Sequence, residues 1–91
     1  MDDNIDIVTK TIEMRGIFRK EFVDYFKDLS EHVHNDKIFY GVGWVVEIGD
    51  EIPYTFGSIT LMDVDITFSA SQECLETLIT GFRLKFMRAG G

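Results

Sequence analysis

The clearest pattern in the second half of the chain is an apolar stripe with the period of an α-helix. Its members recur at the i, i+3, i+4 and i+7 spacing of one helical face: Leu75, Leu78, Ile79, Phe82 and Phe86. Ser69 followed by Gln72 matches a capping box, and Gly90 or Gly91 can end the helix in the left-handed conformation. The pattern predicts one long amphipathic helix from Ser69 to Gly91, around which the rest of the chain is organised.

Two residues of this helix do not fit the stripe. Gly81 costs about 1 kcal/mol relative to alanine in a helix interior, so some neighbour should gain from the missing side chain. Leu84 points away from the stripe, which means that it is either exposed or covered by another surface. Both are therefore candidates for an interface.

The first third of the chain predicts a strand followed by a helix. The segment from Ile5 to Met14 is rich in β-branched residues and is typical of a strand. The segment from Ile17 to Val33 has a regular helical stripe and should start at an N-cap residue Gly16. The stripe consists of Phe18, Phe22, Tyr25, Phe26, Leu29 and Val33.

The segment from Lys37 to Ile48 predicts one long strand. One face would carry Ile38, Tyr40, Val42, Trp44, Val46 and Ile48. The other face would carry Phe39, Gly41, Gly43, Val45 and Glu47. Both faces are partly apolar, so alternation alone does not decide which of them the helices cover.

Two further strands are expected before the last helix. Gly49-Asp50 is a hairpin signal, and Ile52 to Phe56 follows as a strand with its proline at an edge position. A tight turn at Gly57-Ser58 then leads into a strand from Ile59 to Phe68. The apolar alternation of this strand shifts phase between Leu61 and Met62, which predicts a bulge or a turn there.

The resulting order is strand, helix, three or four antiparallel strands, helix. It predicts a single α+β domain spanning residues 1–91, with both helices packed on one face of an antiparallel sheet. The chain of 91 residues is long enough for one modest core.

The net charge of the chain limits the classes of partner that it can bind. The net charge of −7 argues against nonspecific binding to nucleic acid or to an anionic membrane, and no Lys or Arg occurs from Ile38 to Phe82. One cysteine and the absence of an apolar run near about 18 residues predict a cytoplasmic protein without a membrane span. No cofactor is expected.

The long strand supplies the main candidates for a binding site. Gly41 and Gly43, flanked by Phe39, would form a shallow trough that either receives a helix or binds a planar or apolar ligand. Tyr40 and Trp44 would lie on the opposite face, where exposure would mark a homodimer or a protein interface.

Polar clusters supply weaker candidates. His32 and His34 could share a metal ion, but capping of the first helix by these side chains is favoured, because only two His exist. Asp63 and Asp65 share a strand face and could bind a hard cation, with Glu47 or Glu73 alongside, although a solvated face is favoured. Cys74 is interpreted as a small buried thiol. No linear catalytic motif is present, so we expect a protein that is not an enzyme acting alone.

The segment Arg88-Ala89-Gly90-Gly91 ends in the same way as ubiquitin-like sulfur carriers, in which a glycine tail can reach a narrow channel. This alternative would place the chemistry on the Gly91 carboxylate. A helix stop with a frayed terminus is favoured over it, because the predicted element order is not ubiquitin-like.

The strand–helix–strands–helix order resembles the TATA-box-binding-protein-like fold. Together with the terminal FRLKFMRAGG, it is similar to the C-terminal domain of proteins related to the small subunit of molybdopterin synthase, a family of undefined function. The resemblance implies an accessory domain near sulfur-carrier or molybdopterin chemistry and transfers no catalytic residue. The leading hypothesis is thus a non-catalytic domain that binds a protein partner or itself through a sheet face.

Overall fold

The structure is a computed structural model that describes residues 6–87. These residues form six strands and two helices. In chain order they are β1 (Val8–Arg15), α1 (Arg19–Leu29), β2 (His32–His34), β3 (Ile38–Gly41), β4 (Trp44–Ile48), β5 (Ile52–Phe56), β6 (Ile59–Ala70) and α2 (Gln72–Phe86).

The strands form one antiparallel sheet in the order β1-β6-β4-β3-β2, with β5 also paired to β6. Strand β6 is the longest and organises the sheet. It pairs with β1 from Asp63 to Ala70, with β4 from Ile66 to Ala70, and with β5 from Ile59 to Asp63. The predicted α+β class and the antiparallel sheet are confirmed, and five strands rather than three or four lie between the helices.

The prediction of one continuous strand from Lys37 to Ile48 is wrong. The chain turns at Val42 and Gly43, and Gly41 pairs directly with Trp44 to form the β3–β4 hairpin. Gly43 has a φ of 82°, a conformation that residues with a Cβ rarely adopt. Because paired residues share a face, this hairpin moves Trp44 to the face opposite Tyr40.

Both helices pack on the same side of the sheet, called here the inner face. The ring of Phe26 in α1 lies 6.0 Å from the rings of Phe39 and Phe68, and the ring of Phe82 in α2 lies 5.3 Å from Phe68. The two helices also contact each other, with the rings of Phe22 and Phe86 4.8 Å apart. The two helices therefore supply one aromatic core, while Phe18 and Leu29 of the predicted first stripe are exposed and Val33 lies in β2.

The start of α1 differs from the prediction. The N-cap position is held by Phe18, whose side chain makes no capping hydrogen bond, so the assignment of Gly16 is wrong. Glu51, from the loop before β5, accepts a hydrogen bond at 2.8 Å from the backbone N–H of Arg19. A carboxylate from another element thus satisfies one of the free amides at this helix end.

The end of α1 also differs, because the helix stops at Leu29. His32 and His34 lie in β2 instead of capping a helix, and that part of the prediction is wrong. Asn35 and Asp36 form the following turn with φ values of 54° and 52°, which these two residue types tolerate better than most.

The N-cap of α2 lies two positions later than the expected Ser69. Ser71 is the N-cap, and its side-chain oxygen accepts from the backbone N–H of Cys74 at 3.4 Å. Ser69 instead belongs to β6, where its hydroxyl lies 3.2 Å from the hydroxyl of Thr9. The helix ends at Phe86, and the predicted helix stop at Gly90 and Gly91 lies outside the described residues.

Candidate interaction surface

A two-stranded arm extends from one end of the sheet. It comprises residues 52–62, in which β5 pairs with the first part of β6 and Gly57-Ser58 forms the turn. Gly57 adopts a φ of 60° there, as the first position of a tight hairpin turn often requires. The arm contributes to the elongated shape of the described chain, whose extents are 56 × 29 × 19 Å.

The arm carries most of its apolar side chains on the outer face, the side of the sheet opposite the helices, while Pro53 and Met62 have the opposite parity. In β6, Val64, Ile66 and Phe68 point inward and are fully buried. Ile59 and Leu61 have the opposite parity and therefore point outward, beside Phe56 and Tyr54 of β5. The apolar face of the strand thus changes sides between its two halves.

The predicted bulge or turn at Leu61 and Met62 is wrong. Residues Ile59 to Asp63 pair one by one with β5, and residues Asp63 to Ala70 pair one by one with β1. The phase shift in the sequence therefore records a change of the apolar face along a continuous strand, without an extra residue.

Five apolar side chains on the outer face of the arm form what we call the arm patch. Their exposed fractions are 61% for Ile52, 37% for Tyr54, 65% for Phe56, 54% for Ile59 and 37% for Leu61. Residues 52–62 include no charged side chain. The guanidinium carbon of Arg15 lies 3.9 Å from the ring centroid of Tyr54, which places one cation at the base of the patch.

A groove of about 300 Å³ lies beside the base of the arm, between the second strand of the arm and the segment that leads into α1. Phe18, at its edge, has an exposed fraction of 61%. The groove is lined by Gly16, Ile17, Phe18, Thr60, Leu61 and Met62. It extends the exposed apolar surface around the edge of the arm.

Three carboxylates meet where the arm joins the body of the sheet. Oxygen atoms of Glu13, Asp63 and Asp65 lie within 4.8 Å of one another, so the third carboxylate is Glu13 rather than the expected Glu47 or Glu73. A hydrogen bond with Asp63 raises the pKa of Glu13, while the charge of Arg15 lowers it. Arg15 approaches Glu13 at 3.3 Å and Asp63 at 3.7 Å and so supplies positive charge to the cluster.

Two histidines lie together at the far edge of the sheet. His32 and His34 are exposed on the same face of β2, since they alternate along the strand. The ring of His32 lies 5.8 Å from that of Tyr40, and a ring nitrogen of His34 lies 3.2 Å from the side-chain amide of Asn35. Within residues 6–87, no third metal-ligating side chain joins this pair.

The Gly41–Gly43 trough is not formed in the described chain. The indole of Trp44 covers the space where a Cβ of Gly41 would project, and Gly43 lies in the hairpin turn. Phe39 is fully buried in the core, and Tyr40 is partly exposed on the outer face. The continuous strand on which the trough depended is absent, so that hypothesis loses its geometric basis.

The remaining candidates lie on α2. A Cβ at Gly81 would come 3.4 Å from the hydroxyl of Tyr25, so α1 lies close to this position. Leu84 is 72% exposed, one of the two outcomes anticipated for it. Cys74 is half-buried against the core. Whether any of these residues contacts a ligand or partner stays a prediction.

The arm patch was not among the residues singled out from the sequence. The signal for it was present as the phase shift in β6, together with the uncharged run from Ile52 to Met62. Only the strand pairing shows on which face of the sheet the apolar side chains before and after that shift lie.

Comparison with known protein families identifies the family to which the chain belongs. A family model described as archaeal MoaD-like protein matches residues 10–91. The chain belongs to this family. The match corresponds to a domain related to the small subunit of molybdopterin synthase and confirms the resemblance stated above. No curated protein and no solved structure matches the chain significantly.

The match includes Gly90 and Gly91, which lie outside the described residues. The carrier hypothesis that rests on them therefore stays a prediction. In the described part of the chain, neither helix has the length and apolarity needed to cross a membrane.

Proposed function

We propose that this chain is a non-catalytic binding domain that uses the arm patch to hold a protein partner or a second copy of itself. The archaeal MoaD-like family supports a setting in sulfur-carrier or molybdopterin chemistry. The arm patch is the observation that carries the proposal, because an apolar surface on the side away from the helices is typical of an interaction site.

The magnitude of the hydrophobic term supports association. Full burial of a Val, Leu, Ile, Phe or Met side chain contributes about 1.5–3 kcal/mol. Half of that value at the five positions of the arm patch, with the same contribution from an equal apolar surface on the partner, exceeds the lower part of the about 4–15 kcal/mol that association costs in translational and rotational freedom. The arm patch can thus support a specific but reversible complex.

The chemistry of the arm also favours binding over catalysis. Residues 52–62 include no carboxylate, amine, imidazole or thiol, the groups that most often act as acids, bases or nucleophiles near neutral pH. Aromatic side chains such as Tyr54 and Phe56 are enriched in interface cores. The surface therefore has the composition of a contact region.

A pair of double variants tests the proposal. Phe56→Lys with Ile59→Lys charges the arm patch, and Thr55→Lys with Thr60→Lys adds the same charge to the opposite face at the adjacent pair of the same hairpin. We expect the wild type and the Thr variant to form a complex, measured as mass by light scattering alone and after addition of molybdopterin synthase subunits. The Phe56/Ile59 variant should remain unbound.

A wild-type chain that stays monomeric under both conditions would contradict the proposal. Equal binding by the two double variants would also contradict it, since the arm patch would then contribute nothing.

The carrier alternative is tested separately. It places the chemistry at Gly90 and Gly91, so deletion of both residues should abolish thiocarboxylate formation, measured by mass spectrometry after incubation with an activating enzyme. Under the binding proposal the same deletion leaves the arm-dependent complex unchanged.

A further inference from the structure

We infer that the arm patch is covered by the arm patch of a second copy of this chain, in a two-fold symmetric dimer with the arms antiparallel. This inference rests on the proposed function and names its partner. It applies to the outer face of Ile52, Tyr54, Phe56, Ile59 and Leu61, which neither helix of the described residues covers.

The arm needs a covering layer on its apolar outer face. An isolated two-stranded hairpin is marginally stable in water, and additional strands or a packed layer are normally required. In the body of the sheet, α1 and α2 supply this layer on the inner face. In the arm the apolar residues lie on the opposite face, so the helices that stabilise the body cannot cover them.

A second arm provides five apolar side chains in matching positions. Because a two-fold interface uses the same patch on both partners, the arm patch only has to complement itself.

The exposed area of the arm patch is large enough for a small dimer interface. With the exposed fractions given above, the arm patch exposes on the order of 500 Å² of side-chain surface. Two such patches would bury on the order of 1,000 Å² in total, at the lower bound for a specific protein interface. The groove beside Phe18 adds apolar surface at the edge of the contact. These values predict a reversible, concentration-dependent dimer.

The lack of charged side chains on the arm also favours contact between two arms. Each copy carries a net charge of −7, so most contacts between two copies bring like charges together. Residues 52–62 carry no charge, and Glu51 and Asp63 stand at the base of the arm. Antiparallel arms keep the two acidic bodies at opposite ends of the assembly. A partner chosen by opposite charge would instead favour the acidic bodies.

The base of the arm offers a suitable surface for the turn end of a second arm. In antiparallel packing, the Phe56 end of one arm lies towards Tyr54 and Arg15 of the other copy. The Arg15 guanidinium already stacks on Tyr54 within one copy and presents an aromatic–cation surface at that point. The turn end of one arm therefore meets a mixed apolar and cationic surface instead of the carboxylates alone.

Sedimentation equilibrium of the full chain is the primary test. We expect a monomer–dimer equilibrium in the wild type, and a dissociation constant at least ~30-fold higher for Phe56→Lys with Ile59→Lys. Thr55→Lys with Thr60→Lys should leave the constant within ~3-fold of the wild type, since these side chains point to the other face. Far-ultraviolet circular dichroism checks that each variant is folded.

A distance measurement defines the geometry of the dimer. In a Cys74→Ala background, a spin label at Thr55→Cys lies on the arm, and one at His32→Cys lies on the strand at the far edge of the sheet. Antiparallel arms predict a defined distance between the two Thr55 labels and a much longer one between the two His32 labels. A shorter distance between the His32 labels would overturn the arm interface.

The outcomes separate the inference from the proposed function. A wild-type chain that remains monomeric up to about 1 mM overturns the dimer. If that monomer binds a molybdopterin synthase subunit through the arm patch, the proposed function stands without the inference. If it binds nothing and the Phe56/Ile59 variant behaves as the wild type, both fail.

Discussion

The two halves of β6 are both paired with neighbouring strands, but their apolar side chains point to opposite faces of the sheet. From Val64 to Ala70, every second side chain points to the helices and is buried. From Ile59 to Leu61, the apolar side chains point to the other side and remain exposed. Both halves are hydrogen-bonded to neighbouring strands, so pairing alone does not produce a core. Burial requires a second layer, and the two halves require it on opposite faces.

The largest expected effect compares two phenylalanines from these halves. Phe68→Ala should lower the free energy of unfolding by about 3–5 kcal/mol, because its buried ring contacts Phe26 and Phe82. Phe56→Ala, in dilute monomer, should lower it by less than about 1 kcal/mol. Urea unfolding at low protein concentration measures both values. Equal costs would show that the arm is covered within a single copy.

The next effect concerns the junction between body and arm. Arg19 donates from Nε to the carbonyl of Gly49 at 2.8 Å, and from a terminal nitrogen to the carbonyls of Asp36 and Ile48 at 2.8 and 3.1 Å. Arg19→Ala should cost about 2 kcal/mol, because charged hydrogen bonds to three backbone oxygens are lost. Thermal or urea unfolding measures the difference.

Lys20→Ala is the matched control for Arg19→Ala. Its ammonium pairs with Asp24 at 2.7 Å on an exposed helix surface, where solvent screening leaves such a pair with little effect on stability. If both variants lost the same stability, Arg19 would not hold the end of β4 against α1. The boundary between body and arm would then need another explanation.

A smaller effect, with opposite signs at two glycines, examines the helix layer and a turn of the sheet. Gly81→Ala should stabilise the protein by up to about 1 kcal/mol, since its Cβ would meet the Tyr25 hydroxyl at an ordinary 3.4 Å. Gly43→Ala should destabilise it by about 1 kcal/mol, because its φ of 82° disfavours a Cβ although space is free. Melting temperatures that shift in the same direction would contradict this assignment.

The smallest effect is electrostatic and lies where the two halves meet. The hydrogen bond with Asp63 raises the pKa of Glu13, so the folded chain binds this proton more tightly than the unfolded chain. The resulting stabilisation is present at low pH and is lost as the pH rises through the folded-state pKa of Glu13. Carboxyl resonances in an NMR titration should show the pKa of Glu13 above its usual value.

Asp63→Ala should bring the Glu13 pKa back towards its usual value, because the hydrogen bond and the neighbouring charge are both removed. An unchanged Glu13 pKa in this variant would place the cause elsewhere.

Several elements could be predicted because their patterns are long and repeat many times. Four positions of the first predicted stripe lie in α1 and all five of the second lie in α2, and both helices pack on the sheet as expected. The order of elements was then sufficient to indicate an α+β fold and the correct family. The ends of both helices were less predictable, because the cap of α1 comes from Glu51, far along the chain.

The β3–β4 hairpin shows what a local pattern missed. Val42-Gly43 lies inside an uncharged run and lacks the Asn-Gly or Asp-Gly signal of a two-residue turn. A continuous alternation therefore fitted the sequence equally well. The pairing of Gly41 with Trp44 reverses the parity and answers the question of which face is covered, since the inner face includes Phe39 from one strand and Val46 from the other.

The sequence by itself determined the two helices, the α+β class, the family and the positions at which apolar and polar residues alternate. In β6 it also marked the point at which the alternation shifts, between Leu61 and Met62. Only the tertiary structure decided which face each residue occupies, because the two faces of a strand are equivalent until its neighbours and the covering layer are known. The helices cover one face of the body, and the apolar face of the arm lies on the other.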